Sequence, residues 1–442
     1  MKSKILKIQK NGLLLTLLAL FTGAHQATAQ SFVLSSSPVI GADSHCVVAT
    51  DVNGDGNLDL ISVDYGFGAG TLTVLTNDGH GTFTACSTNA TATQPFWATA
   101  ADLIGNSNAE IVTANYNADT LTVLTNNGYG AFGSNATYNV PDSPVYVMAV
   151  DVNGDGKLDL ITANVGNSVT VLTNNGDGTL TFSSTYTVGN SPINVVAADV
   201  NGDGKLDLVA ANSDNTLTVL TNNGNGTFTF SSTQIVGYSP FVTAADVNND
   251  GKVDLITANY SDDTVTVLTN NGSGRFTTAS TSQVGFSPYS VTTTDLNGDG
   301  KVDLVIANQG GNGDGGNGTL TLLANNGKGT FLQAGTLSVG NGPVFVATAD
   351  VNGDGAPDLI AVNQGDSTLS ILLNQSIPSV FIESLSARSA SIYWTGYWPG
   401  YVLQQNSSLN PATWVNTVNP TGTNQVTIST VTGNKFFRLR HK

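Results

Sequence analysis

Asp199-Val200-Asn201-Gly202-Asp203-Gly204-Lys205-Leu206-Asp207-Leu208 is a phrase the chain repeats. DVNGDGKLDL starts again at Asp151, and DVNGDGNLDL starts at Asp51. DVNNDGKVDL follows from Asp246, DLNGDGKVDL from Asp295 and DVNGDGAPDL from Asp350. A degraded copy, DLIGNSNAEI, starts at Asp102. Copies begin 47 to 55 residues apart, and the longest interval holds a glycine-rich insert at 310–318. A period of that size marks an array of supersecondary units, each unable to bury its apolar face alone.

Working outward, each of the first six phrases is followed by a second. TLTVLTNDGHGTF starts at Thr71, TLTVLTNNGYGAF at Thr120 and SVTVLTNNGDGTL at Ser168. TLTVLTNNGNGTF starts at Thr216, TVTVLTNNGSGRF at Thr264 and TLTLLANNGKGTF at Thr319. In the fourth repeat Ile193–Ala198 reads as a first strand and 208–211 as a second. Then 216–221 alternates as a third, Asn223-Gly224 supplies a tight turn, and 227–236 returns as an outer strand. Four short strands per repeat, seven times over, predict an all-β, seven-bladed β-propeller. The seventh repeat stops after its third strand at 368–374, while 32–40 resembles an outer strand. The two segments are expected to pair, hiding two sheet edges.

The aspartate phrase reads as a hard-oxygen metal loop. Residues 1, 3 and 5 offer side-chain oxygens, residue 7 a main-chain carbonyl and residue 9 a carboxylate, with glycine at 6 for the sharp turn. Such a set suits Ca²⁺ better than Mg²⁺, which sheds water reluctantly. The expected ligands are Asp51, Asn53, Asp55, Asn57 and Asp59 in the first loop, and Asp151, Asn153, Asp155, Lys157 and Asp159 in the third. The fourth loop offers Asp199, Asn201, Asp203, Lys205 and Asp207, and the fifth Asp246, Asn248, Asp250, Lys252 and Asp254. The sixth offers Asp295, Asn297, Asp299, Lys301 and Asp303, and the seventh Asp350, Asn352, Asp354, Ala356 and Asp358. About six calcium sites are therefore expected. The second loop has Ile104, Asn106, Ser107 and Glu110 at positions 3, 5, 6 and 9, so it should be empty or weak. The competing reading is a set of Asx-rich turns without metal.

These loops resemble those of the FG-GAP/VCBS repeat family, which includes integrin α-subunit propellers and many secreted bacterial proteins. The resemblance implies a seven-bladed propeller with Ca²⁺ between the first and second strands of a blade. It also implies partners on the face opposite those loops, and roles mostly in adhesion and recognition. A minority of such proteins are carbohydrate-active enzymes, including lyases.

The remaining features bound function. Net charge is −17, which argues against nucleic acid as a partner because phosphate binding needs clustered Lys and Arg. Lys2, Lys4, Lys7 and Lys10 precede an apolar run at 13–21 and an Ala27-Thr28-Ala29 end, so residues 1–29 read as a signal peptide of an exported or cell-surface protein. That run is too short to span a bilayer, and no mature transmembrane span is expected. Residues 30–376 form the predicted propeller. Residues 379–442, with Trp394, Trp398 and Trp414, break the repeat and read as a small C-terminal β-rich module. Cys46 and Cys86 should lie too far apart to bridge and remain free, partly buried thiols. No nucleophile–base motif appears, and His45 and His80 should sit on opposite faces. Aromatics near the inter-repeat prolines (Phe96, Trp97, Tyr146, Tyr238, Phe286, Tyr289 and Phe345) offer either blade packing or a grip on a sugar or peptide. The function expected is an adhesion or recognition module for an extracellular protein or glycan. The alternative is a lyase-like carbohydrate-active enzyme using the face opposite the loops.

Overall fold

Val, Ile, Leu and Thr dominate the segment after each aspartate loop, and each such segment is a fully buried six-residue strand, as in Asp207–Asn212. Only a strand covered on both faces reads as a near-continuous apolar run. The covers are the neighbouring blades. Outer strands instead alternate, as Phe228–Ile235 does, because one face meets water.

The computed structural model describes residues 31–375 except 67–68 and 312–317, together with strand placements at the two chain ends. Seven four-stranded antiparallel sheets make the propeller. The fourth is typical: Pro192–Ala198 innermost, then Asp207–Asn212, Thr216–Asn222 and Phe228–Ile235. Blades 1 to 6 occupy residues 44–93, 95–139, 144–187, 192–235, 240–283 and 288–338. Blade 7 holds Pro343–Ala349, Asp358–Asn363 and Thr368–Asn374, and its outer strand is Phe32–Ser36. That strand pairs antiparallel with the third, Phe32 opposite Asn374, so both ends of the propeller segment share one sheet.

The turn between third and outer strands is a five-residue loop, since Asn222 pairs with Phe228, and Gly224 and Gly226 there both adopt positive φ. The thiols are free but not alike: Cys46 is buried and Cys86 exposed.

Towards the ends, Val380–Ser386, Ser389–Trp394 and Gln425–Ile428 form one sheet, and Tyr401–Asn406, Val415–Asn416 and Lys435–His441 belong to another. Leu6–Ile8, inside the expected leader, pairs with Lys435–His441 in that second sheet. The leader assignment therefore rests on composition. The tryptophan side chains of the tail lie outside the described residues.

Blades are tied by a feature that was not read from the sequence. The asparagine ending each third strand donates its Nδ2 to a loop carbonyl of the preceding blade. Asn126 reaches Val52 O, Asn174 Leu103 O, Asn222 Val152 O and Asn270 Val200 O. Asn325 reaches Val247 O and Asn374 Leu296 O. Asn77 reaches Val351 O at 2.8 Å and closes the ring between blades 1 and 7. Each amide is buried; Asn222 also donates to Leu206 O and accepts from Gly224 N–H. Deleting such a group leaves buried carbonyls unpaired, which costs about 1–3 kcal/mol. Asn222→Ala should therefore lower stability in urea by about that amount. Asn225→Ala, an exposed turn change in the same blade, should stay within about 0.5 kcal/mol. Equal losses from the two variants would contradict a special role for the ring.

Candidate functional site

Each aspartate loop is wound by its own side chains. In the first loop Asp51 accepts from Asn53, Gly54 and Gly56 N–H, Asn53 Oδ1 from Asp55 N–H, and Asp55 Oδ1 from Asn57 N–H. The position-1 aspartate takes the position-6 N–H in every other intact loop too, at 2.7–2.9 Å. The position-6 glycines all have φ between +81° and +86°. The loops are therefore tight turns wound on the side-chain oxygens of positions 1, 3 and 5.

The degraded loop winds the same way. Asp102 accepts from Gly105, Asn106 and Ser107 N–H, and Ser107 adopts φ +68° where the others have glycine. Turn hydrogen bonds alone thus suffice to shape the loop. What separates the six intact copies is the retained oxygen set, since Ile104 supplies nothing at position 3.

The position-9 aspartates do something not assigned to them in advance. All six are fully buried. In each, one oxygen accepts the N–H of loop position 2 and the other accepts the N–H of the third-strand asparagine. Asp207, for example, accepts from Val200 N–H at 3.2 Å and Asn222 N–H at 2.8 Å. The carboxylate therefore braces its own loop against the residue that grips the loop of the preceding blade.

These groups are held at a cost. Burial lifts Asp59, Asp159, Asp207 and Asp254 above the ordinary carboxylate range, and the neighbouring loop aspartates add repulsion. Asp303 and Asp358 are pushed up to about 7 by the same causes. In four loops a lysine at position 7 leans on the position-5 aspartate: Lys157, Lys205, Lys252 and Lys301 lie 3.0–3.8 Å from it. Those four loops thus draw in positive charge. Among the described residues no three His, Cys, Asp or Glu side chains converge as a ready-made metal cluster. A calcium set here needs the asparagine and main-chain oxygens as well, and each carboxylate oxygen that accepts an N–H keeps a second lone pair. The donor chemistry fits a hard cation.

The opposite face is built differently. The repeated asparagine that ends the second strand is buried and bonds to third-strand hydroxyls, as Asn164 does to Ser168 and Thr170. In blade 1 Asp64 takes that place and accepts from Ser44, Thr71 and Thr73 hydroxyls. Above these rungs lies a cleft of about 270 Å³ spanning blades 2 to 6. Phe96, Trp97, Phe241, Tyr260 and Tyr289 line it, with Ser191, Ser213 and Ser239 supplying polar groups. Its floor is an aromatic plug: Trp97 lies 4.8 Å from Tyr146 and 4.9 Å from Phe345, ring centre to ring centre. Below the plug the channel widens again between small residues such as Ala49, Ala98 and Ala347. Of the aromatics singled out in the sequence, Trp97, Tyr146 and Phe345 therefore pack, Phe96 and Tyr289 line the cleft, and Tyr238 and Phe286 are exposed.

His45 stacks on Phe96 at 4.0 Å, and burial pulls its imidazole down to about 4. It lies at the start of an inner strand, whereas His80 lies in the turn between third and outer strands. Alternate ends of an antiparallel blade face opposite sides, so the two histidines do not share a site.

Six overlapping matches to the FG-GAP-like repeat, from 51–113 to 295–361, cover most of the chain, and the protein belongs to that repeat family. No curated protein sequence matches it significantly. Among solved structures it is similar to BBS1N, crystallised in complex with ARL6DN, with a TM-score of 0.58 at 13% identity over 78% of this chain and 98% of that one. A putative 6-phosphogluconolactonase from Bacteroides fragilis gives 0.52 at 18% identity, over 67% and 85% of the two chains. The periplasmic gluconolactonase of Pseudomonas aeruginosa gives 0.50 at 18%, over 64% and 83%. At such identities the likeness is one of fold.

The lifted carboxylates set a pH dependence for the metal-free chain. A buried Asp whose folded pKa exceeds its unfolded value of about 3.9 favours the fold when protonated. That contribution is complete below about 3.9 and is lost as pH rises through about 7 for Asp303 and Asp358. Melting in metal-depleted buffer should therefore fall between about pH 4.5 and 7.5. A melting temperature that climbs across that window would contradict the geometry.

Proposed function

We propose that this protein is an exported, calcium-braced propeller that serves as a recognition or adhesion module. The observation that carries the reading is the division between its faces. One face collects six sets of oxygen donors whose charge lysines offset only in part and in four loops, and the other presents an aromatic cleft with hydroxyls.

Asp51, Asn53, Asp55, the carbonyl of Asn57 and Asp59 would hold the ion in the first loop, and the matching residues in the other five intact loops. Bound calcium would supply positive charge and cross-link the loop oxygens. The chain's own residues do the rest. The position-9 carboxylate carries that rigidity to the third strand, and the asparagine carries it to the preceding blade. Extracellular calcium modules bind with Kd of about 10⁻⁴–10⁻³ M. At Kd ~10⁻⁴ M and ~2 mM free ion, one loop would add about 1.8 kcal/mol of stability. Six would approach about 11 kcal/mol as an upper bound, comparable with a whole domain's ~5–15 kcal/mol.

The export assignment rests on the leader-like residues 1–29. Among the described residues no helix is long and apolar enough to cross a membrane.

The lyase-like alternative needs an acid and a base at the reacting atoms. Among the described residues the cleft lining offers neither carboxylate nor imidazole. Its Tyr289 hydroxyl is pushed up to about 12 by burial, which keeps it protonated at neutral pH and suits it to hydrogen bonding. Lactonase chemistry belongs to the two similar lactonase-named structures, whose likeness to this chain is one of fold.

Thermal unfolding tests the reading. At pH 7 millimolar calcium should raise the melting temperature by tens of degrees over chelated protein, and magnesium should not substitute. An identical melt with calcium and with chelator would contradict it.

A further inference from the structure

Charge is sorted between the two faces. Within residues 31–375 the only basic residues are Lys157, Lys205, Lys252, Arg275, Lys301 and Lys328. All six lie in the aspartate loops or in the turns between third and outer strands, on one face of the ring. The opposite face carries carboxylates without a Lys or Arg among the described residues. Asp119, Asp142, Asp214, Asp262 and Asp263 sit there in the loops beside the aromatic cleft, and all but Asp263 are exposed. Asp142 is near the lining residue Val145, Asp214 adjoins Ser213, and Asp262 and Asp263 follow Tyr260.

Four of these aspartates are held in place. Asp119 accepts from Ser143 N–H at 2.7 Å, and Asp214 from Asn190 N–H at 3.0 Å. Asp262 accepts from Tyr238 N–H at 2.8 Å, and Asp263 from Ser287 N–H at 2.7 Å. Each bond joins a loop between second and third strands to an inter-blade linker: Asp119 and Asp263 reach the one entering the next blade, Asp214 and Asp262 the one entering their own. The negative rim is therefore fixed before any partner arrives, and little ordering is needed on binding.

We infer that the cleft takes an apolar or aromatic side chain of an extended peptide segment flanked by lysine or arginine. The cleft supplies apolar surface and ring faces for the central side chain. The rim supplies opposite charge to the flanking residues, the complementarity that steers association and rejects acidic competitors. A small amine would meet one rim carboxylate. A chain crossing the cleft meets several, because they are spread over the loops of blades 2 to 5. Cationic groups beside Tyr260 or Tyr289 also gain from the ring faces. This inference rests on the recognition reading and specifies its partner.

The test uses the full chain with calcium present. Short fluorescein-labelled peptides with a central Phe, flanked by lysines, serines or glutamates, are titrated by anisotropy, alongside a panel of neutral oligosaccharides. The lysine peptide should bind at least ~10-fold more tightly than the serine peptide, weaken as salt shortens the Debye length, and outbind every sugar. The glutamate peptide should not bind. The combined variant Asp119→Asn, Asp214→Asn, Asp262→Asn and Asp263→Asn keeps each loop acceptor and removes four charges. It should melt like the parent yet lose at least ~10-fold in affinity for the lysine peptide. Ser213→Trp, an exposed loop change at the cleft, should block binding. Equal binding of the three peptides, no peptide binding, unchanged affinity in both variants, or a neutral sugar as the tighter ligand would each overturn the inference. The last result would leave the recognition reading standing. Calcium-dependent melting, which none of these outcomes touches, tests the brace separately.

Discussion

A buried carboxylate that accepts two main-chain N–H groups is the constraint on which this ring depends. The position-9 aspartate of each intact loop bonds to the start of its loop and to the end of the third strand, as Asp358 does to Val351 and Asn374. The asparagine it holds reaches across to the preceding blade. Repeated round the ring, this turns seven separate sheets into a closed series. The closing link, Asn77 to Val351, spans the two ends of the repeat array. Hydrophobic burial between second strands supplies the bulk of the driving force. The polar chain fixes how the blades register. A carboxylate out of water is expensive unless its hydrogen bonds are complete, and the lifted pKa values show that expense remaining near neutral pH.

Calcium is the natural remedy for that remaining charge. The loops already recruit lysine Nζ to their position-5 aspartates, which is a partial answer with half-exposed partners of modest worth. A divalent ion among the same oxygens would answer it fully and would stiffen the loop that the next blade grips. The face opposite the aspartate loops is spared this task. Its second-strand asparagines donate to third-strand hydroxyls, as Asn164 does to Ser168 and Thr170, and beside them lie the aromatic cleft and the acidic rim.

Much of this was legible in the chain because each repeat states the same pattern. The buried second strand follows from the apolar run after each phrase, and the shared seventh sheet follows from the missing outer strand at 374 and the spare one at 32. The interblade ring was also written there, in the Asn that closes LTN, LAN and LLN. Its meaning was hidden, because a polar residue at a strand end reads as a turn former until its distant partner is known. The split among aromatics was not legible either. Trp97 and Phe96 are adjacent in sequence, yet alternation along a strand sends one into the channel plug and leaves the other beside His45. In the turn between third and outer strands Gly226 also adopts positive φ, which the sequence reading assigns only to Asn223-Gly224.

Counting bound calcium by equilibrium dialysis of the purified chain at pH 7 tests the brace most directly. The account predicts six ions per chain, with the Asp102 loop serving as a built-in blank, and one fewer after Asp203→Ala. Uptake of no calcium, or the same count after that substitution, would contradict it.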